Sequence, residues 1–313
     1  MLIWLVLIPL IAAALIGLCK APARPTALLS ASLTLALGIW ALVSFDGCSS
    51  CWSRFEGMDL QLTLAPALSK VMLLLTILVT FATVLGTNPP QGGEASWYNS
   101  ALLISAGATG AFLSDNMISF FAFHELALIP TFVMIGLYGR GDRRTTAWRA
   151  TLYLGLASMV LLAALLMIGT QAGFTFSGLK DFMASGRELA HAELIGALLI
   201  AGFGTLISLF PFHSWAAPAY ASAPAPVAMM HAGVLKKFGL YGLFMFQPLM
   251  ETGFLPWTNI LLVLLVCNVI WVGYVTVNQK RLDLLLGNSS VMHMGYIFLA
   301  FAALVVSGSA EAN

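Results

Sequence analysis

Charge is what this sequence has least of. Aspartate, glutamate, lysine and arginine make up 9% of its 313 residues, while 60% are hydrophobic; a soluble domain carries roughly 25% charged residues. Water is therefore not the solvent for most of the surface. The formal net charge of +1 gives no basis for a nucleic-acid groove or a strongly basic membrane-surface patch, so the expected partners are other helices and lipids, with no nucleic acid. Cysteine is scarce as well. Cys19 and Cys267 lie in apolar segments, while Cys48 and Cys51 form CSSC in a polar connection. That pair reads as an ordinary loop thiol pair or a local disulfide on the oxidising side; a metal site would need two further ligands, and no second such pair occurs. A nucleotide fold has no support either, because GATGAF at 107 to 112 sits inside an apolar run without a strand before it. No nucleophile with its base and no paired carboxylates stand in a pocket-like context. No residue is assigned a catalytic, cofactor-binding or metal-binding role, and no cofactor is expected.

Long apolar runs are what the sequence does have. A spanning helix needs about 20 such residues, and candidate segments run over 2 to 18, 26 to 44, 68 to 87, 98 to 113, 116 to 137, 149 to 169, 193 to 210, 222 to 246, 258 to 278 and 289 to 307. The runs are continuous rather than alternating, which excludes strands as the main element. The expected fold is all-α, a polytopic transmembrane bundle of about ten spans. The first run has no basic region before it, so it reads as a span rather than a cleavable signal peptide. The polar connections at about 45 to 66 and 170 to 192 are too short to bury a core of their own, leaving 1 to 313 as a single membrane domain.

Orientation follows from the basic residues in short connections. One alternate set of loops holds Lys20, Arg24, Arg140, Arg143, Arg144, Arg149, Lys280 and Arg281; the other holds Arg54, Lys70, Lys180 and Arg187. The first set is placed in the cytoplasm, which puts the amino terminus and the CSSC loop outside, and the SGSAEAN end outside too.

The informative residues are those that a bilayer rejects, since a charge at a helix centre costs about 2.5 to 3.5 kcal/mol on insertion scales. His124 and Glu125 lie mid-span in SFFAFHELALIPTFVMIG. Pro130 removes the amide that would bond the Leu126 carbonyl, leaving a free acceptor one turn from the acid. The alternatives are a working proton site and a neutral glutamate hydrogen-bonded to a neighbouring helix. Lys236 and Lys237 lie well inside MMHAGVLKKFGLYG; successive helical residues diverge by about 100°, so the two cannot share one small partner, and snorkelling to an interface is the alternative. Around His213, Pro211, Pro218, Pro224 and Pro226 interrupt an apolar stretch, predicting a broken helix near 206 to 220. Such breaks are tolerated where they are buried in protein or line a water-filled cavity; a loop histidine at the membrane surface is the other reading. His231 and His293, neither followed by a second ligand at helical spacing, read as polar contacts between helices. One glutamate, two lysines and several histidines spread over separate spans resemble a proton relay more than a catalytic site.

Three stretches carry a family resemblance. FFAFHELALIPTFVMIGLYG, FPFHSWAAPAYASAPAPVAMMHAGVLKKFGLYGL and NSSVMHMGYIFLA resemble, in turn, the glutamate-bearing fifth helix, the seventh-to-eighth helix signature and the SS-x-x-HMG motif of the antiporter-like membrane subunits of respiratory complex I, of the chain M (mitochondrial subunit 4) type. The resemblance runs from about residue 60 to the end. It implies a proton-translocating subunit of an NADH:quinone oxidoreductase, without a redox centre of its own, in the inner (plasma) membrane among other membrane subunits, with an outward amino terminus. By motif position Glu125 matches the family's glutamate, Lys237 its eighth-helix lysine, and His213 and His293 its histidines; with Lys236 and His231 these are the candidate proton-transfer residues. The family's seventh-helix lysine falls on Leu206, and Lys236 is expected to supply the missing charge. Arg281, Leu282, Asp283 and Leu284 stand where the family has Asp-x-Lys-Arg. The resemblance divides the chain into amino-terminal helices (1 to 97), a first five-helix repeat (98 to 246) and the opening of a second (258 to 313), as expected of a fragment or a split subunit. The alternative functions are a subunit of a membrane-bound hydrogenase or of a multisubunit Na+/H+ antiporter, and a structural membrane subunit that no longer transports.

Overall fold

The computed structural model describes residues 1 to 44, 49 to 55, 58 to 90 and 92 to 311. Cys48 of the CSSC pair lies outside the described residues. Two compact units make up the chain: Met1–Gly139 with Ala223–Lys237, and Arg140–Ser222 with Phe238–Asn313.

The first unit holds α1 (Leu2–Gly17), α2 (Ala23–Ser44), the strands β1 (Ser49–Phe55) and β2 (Met58–Thr63), α3 (Ala67–Gly86), α4 (Glu94–Leu113), α5 (Met117–Tyr138) and a returning segment. The strands pair antiparallel, Ser49 opposite Thr63 and Phe55 opposite Met58, with a bulge between Cys51 and Ser53. This hairpin was not expected from the polar connection. Leu62 and Leu64 beyond its turn join Leu2, Leu5, Val6, Leu73, Ile77, Ala106 and Leu113 in one apolar cluster, so the hairpin is anchored by its far strand. Helix α4 packs on α1, α2, α3 and α5, which explains how a helix bearing Ser100, Ser105 and Thr109 can be buried along almost its whole length. Thr80 of α3, for example, donates to the Ser105 hydroxyl at 3.1 Å. Asn116 starts α5 as its cap, accepting from the Ile118 and Ser119 amides at 2.9 and 3.1 Å.

The returning segment is α10 (Ala225–Met230) followed by a π-helical turn, His231–Leu235. Both pieces pack on α3, and α10 also meets α4 and α5.

The second unit contains α6 (Arg143–Ala172), α7 (Phe176–Ala184), α8 (Ala192–Leu206), α9 (Ala216–Ser222), α11 (Lys237–Met245) from Phe238 onward, α12 (Thr258–Val277) and α13 (Leu282–Glu311). Close approaches are made at glycine. A Cβ on Gly202 of α8 would lie 3.0 Å from the Leu161 Cβ of α6, and one on Gly287 of α13 would lie 2.9 Å from the Ala217 Cα of α9.

An all-α bundle with a broken helix is thus what the chain forms, but the number of spans differs from ten. Among the described residues, six helices are long and apolar enough to cross a membrane: Ala23–Ser44, Ala67–Gly86, Met117–Tyr138, Arg143–Ala172, Gln247–Val277 and Leu282–Ser307. The other four expected spans are helical and fall short for physical reasons. Leu2–Gly17 and Ala192–Leu206 are apolar but short; α4 carries too many polar residues, which its neighbours cover; and the stretch 222 to 246 is interrupted by the π turn.

Candidate functional site

Glu125 sits in the interior of α5, two turns past the Asn116 cap. Helix α4 packs on the Phe123–Ala127 face of α5 through glycine: a Cβ on Gly107 would lie 2.6 Å from the Phe123 carbonyl, and one on Gly110 would lie 2.5 Å from the Phe123 ring. These glycines let the turn of α5 that bears Glu125 press backbone to backbone on its neighbour. His124 is fully buried, its ring stacked on Phe120 with centroids 6.4 Å apart, and its Nδ1 lies 3.3 Å from Glu125 Oε1. The Glu125 side chain is 31% exposed, while its Oε1 is buried. Pro130 leaves α5 continuous, and one residue on, the Thr131 hydroxyl donates to the Ala127 carbonyl at 3.2 Å.

The same unit buries His231 and Lys236, the latter at 1% exposure. The π turn sets their register: the Lys236 amide donates to the His231 carbonyl at 3.2 Å, five residues back instead of four. Its bulge is seated where Gly233 meets α3, since a Cβ there would lie 3.0 Å from Val79 Cγ2. The Lys237 ammonium donates to the Ala232 carbonyl at 2.5 Å, turning back along its own segment. Among the described side chains of this unit the carboxylates are Glu94, Asp115 and Glu125; Glu94 begins α4 and is exposed, Asp115 follows the end of α4, and only Glu125 lies within a helix interior.

The second unit holds the break and the other two histidines. Helix α8 stops at Leu206 because Ser208 adopts a left-handed conformation with φ of 66°. The Ser208 and Leu209 amides then fold back on the Thr205 and Gly204 carbonyls at 3.0 and 2.7 Å. The Trp215 indole also donates to the Thr205 carbonyl at 3.2 Å, giving that helix-end acceptor a second bond from across the break. His213 is half-buried, stacked on Phe210 at 5.4 Å; its neighbour Ser214 donates to the Tyr153 hydroxyl of α6 at 3.0 Å. His293 lies on an exposed face of α13, its Nδ1 2.7 Å from the Ser289 carbonyl. Glu125, His231, Lys236 and Lys237 thus share the first unit, and His213 and His293 belong to the second.

Sequence reasoning missed one residue here. Asn268, 1% exposed at the middle of α12, accepts from the Phe210 amide and donates to the Val291 carbonyl, both at 3.1 Å. The signal that could have found it is a lone amide inside LLVLLVCNVIWVGYV.

These features define a polytopic helical membrane protein that carries a partly exposed glutamate inside a continuous helix and buries a lysine and a histidine at a π turn. Residues 114–312 match the family model described as "NADH:quinone oxidoreductase/Mrp antiporter, TM", and the chain belongs to that family. It is 32% identical over 243 residues to NAD(P)H-quinone oxidoreductase chain 4 2 of Microcystis aeruginosa, covering 75% of this chain and 43% of that protein. The chain 4 1 protein of a Picosynechococcus species is 30% identical over 259 residues, or 80% and 47% of the two chains. The chain therefore spans less than half the length of these relatives. Among solved structures, a chain of respiratory complex I from Thermus thermophilus with bound NADH superposes with a TM-score of 0.83 at 26% identity, covering 94% of this chain and 63% of that one.

Proposed function

We propose that this chain is a proton-translocating membrane subunit of a complex I-type NADH:quinone oxidoreductase, relaying protons through Glu125, Lys236, Lys237, His231, His213 and His293. The observation that carries this reading is Glu125 in the interior of a membrane-length helix, in one compact unit with the buried Lys236. A carboxylate at that depth is costly unless a cation balances it or a proton neutralises it. Such a group exchanges a proton whenever its counter-charge changes, which is what a relay needs. In this reading Lys236 is the balancing cation and His124, 3.3 Å from the carboxyl, shields it on one side. Lys237, held to a backbone carbonyl instead, passes protons onward.

The finer assignments belong to the same proposal: an inner (plasma) membrane location with the amino terminus outside, other membrane subunits of a multisubunit redox-driven complex as partners, and a first antiporter-like repeat over 98 to 246. Relatives named as quinone oxidoreductase chains favour this over a hydrogenase or Na+/H+ antiporter subunit.

Glu125→Gln tests it. Proton uptake driven by NADH oxidation is followed in membrane vesicles of the assembled complex, and the variant is expected to assemble but to pump at least about tenfold less, the loss of one essential transfer group. Coupled pumping at the wild-type rate in that variant sinks the assignment.

A further inference from the structure

An amide at the centre of a membrane-length helix is tolerated only with its donor and acceptor both satisfied. Asn268 meets this condition in a way that joins three parts of the second unit. Its Oδ1 takes the Phe210 N–H at 3.1 Å and its Nδ2 gives to the Val291 carbonyl at 3.1 Å; the two partners, one a donor and one an acceptor, fix which way the amide faces. Phe210 stands past the end of α8, where its N–H has no helical acceptor. Val291 is inside α13, and one turn later Gly295 opens the space: a Cβ on Gly295 would lie 2.7 Å from Asn268 Nδ2. The amide therefore sits in a notch that any larger residue would close.

We infer that Asn268 is a positioning residue, a strut from α12 that ties the break at 207 to 215 to α13 through the notch at Gly295. One side chain thereby fixes the backbone of Phe210, whose ring stacks on that of His213, to the helix turn that carries His293. Displacement of α13 at Val291 is passed to the break through two hydrogen bonds, so the place of His213 follows that of α13. The relay reading gives this coupling its use, but the strut itself is tested without it.

A nitroxide at Phe212→Cys, whose side chain is 41% exposed, reports motion of the break in the full chain, isolated with its partners and returned to lipid, with the native cysteines replaced by serine. A second nitroxide at Ser185→Cys reports a distant connection. Asn268→Leu and Gly295→Ala should each speed the Phe212→Cys label on the order of tenfold, as expected when buried hydrogen bonds are removed, and leave the Ser185→Cys label unchanged. Both changes break one contact, so the double variant should be no looser than the worse single. Asn278→Leu, which removes only a bond to the Tyr274 carbonyl at the exposed end of α12, is the control and should change neither label. A Phe212→Cys spectrum unmoved by either substitution overturns the strut. So does equal loosening at both labels, which marks a loss of general stability, and so does a double variant whose effects add. A Phe212→Cys label freed in this pattern while NADH-driven pumping is unaffected keeps the strut and counts against the relay through His213.

Discussion

At the scale of single residues, the charged members of the candidate site were legible because a bilayer makes them expensive: Glu125, Lys236 and Lys237 stand out in apolar runs with no other charge near them. Asn268 was not legible, since a neutral amide disturbs hydropathy little and its role depends on Phe210 and Val291, 58 and 23 residues away. The relation between Glu125 and Lys236 can be tested at this scale as well. On the proposed pairing, Lys236→Met leaves the Glu125 carboxylate without its cation, expected to cost about 3 kcal/mol. Adding Glu125→Gln removes the uncompensated charge and should recover most of that loss. Thermal unfolding of the wild type, both singles and the double gives the coupling energy. A double variant no more stable than Lys236→Met would mean that the lysine is balanced by something other than Glu125.

At the scale of elements, the break was legible because proline leaves few alternatives: four prolines between 211 and 226 cannot lie within one regular helix. The π turn at His231–Leu235 and the hairpin were not. A π turn differs from an α turn by one residue of register, which tertiary packing at Gly233 and Val79 decides; of the hairpin's short strands only the second, MDLQLT, alternates apolar and polar residues, and its partner SSCWSRF has no such pattern. The α4–α5 contact is equally a matter of packing, and it makes a firm prediction. A methyl at Gly107 meets backbone, the Phe123 carbonyl at 2.6 Å and the Ala127 nitrogen at 2.8 Å, neither of which can turn aside as a side-chain end would. Gly107→Ala should therefore destabilise the protein by about 1 to 3 kcal/mol and disturb the turn bearing Glu125. Gly155→Ala in α6, where an added Cβ meets nothing within 4 Å, should be neutral or slightly stabilising in the same thermal assay, since alanine favours the helix. Equal melting of the two variants would show that α4 and α5 are not pressed together at Gly107.

At the scale of the whole molecule, the remaining matter is which way the chain lies across the membrane, and α6 decides it with the fewest assumptions. It is a 30-residue helix, long enough to cross a bilayer once even when tilted, so its two ends face opposite compartments. The ends differ in charge. Arg140, Arg143, Arg144 and Arg149 cluster at its start, while Lys180 and Arg187 lie beyond its end, near α7. Basic residues in short connections are retained in the cytoplasm, so the expected outcome is the start of α6 inside and α7 outside. A cysteine at Thr145, exposed in the first turn of α6, and one at Ser185, exposed just after α7, read the two faces directly when the native cysteines are replaced by serine. A membrane-impermeant maleimide added to intact cells should label Ser185→Cys and spare Thr145→Cys, and inverted vesicles should give the reverse. Labelling of Thr145→Cys in intact cells would turn the molecule over.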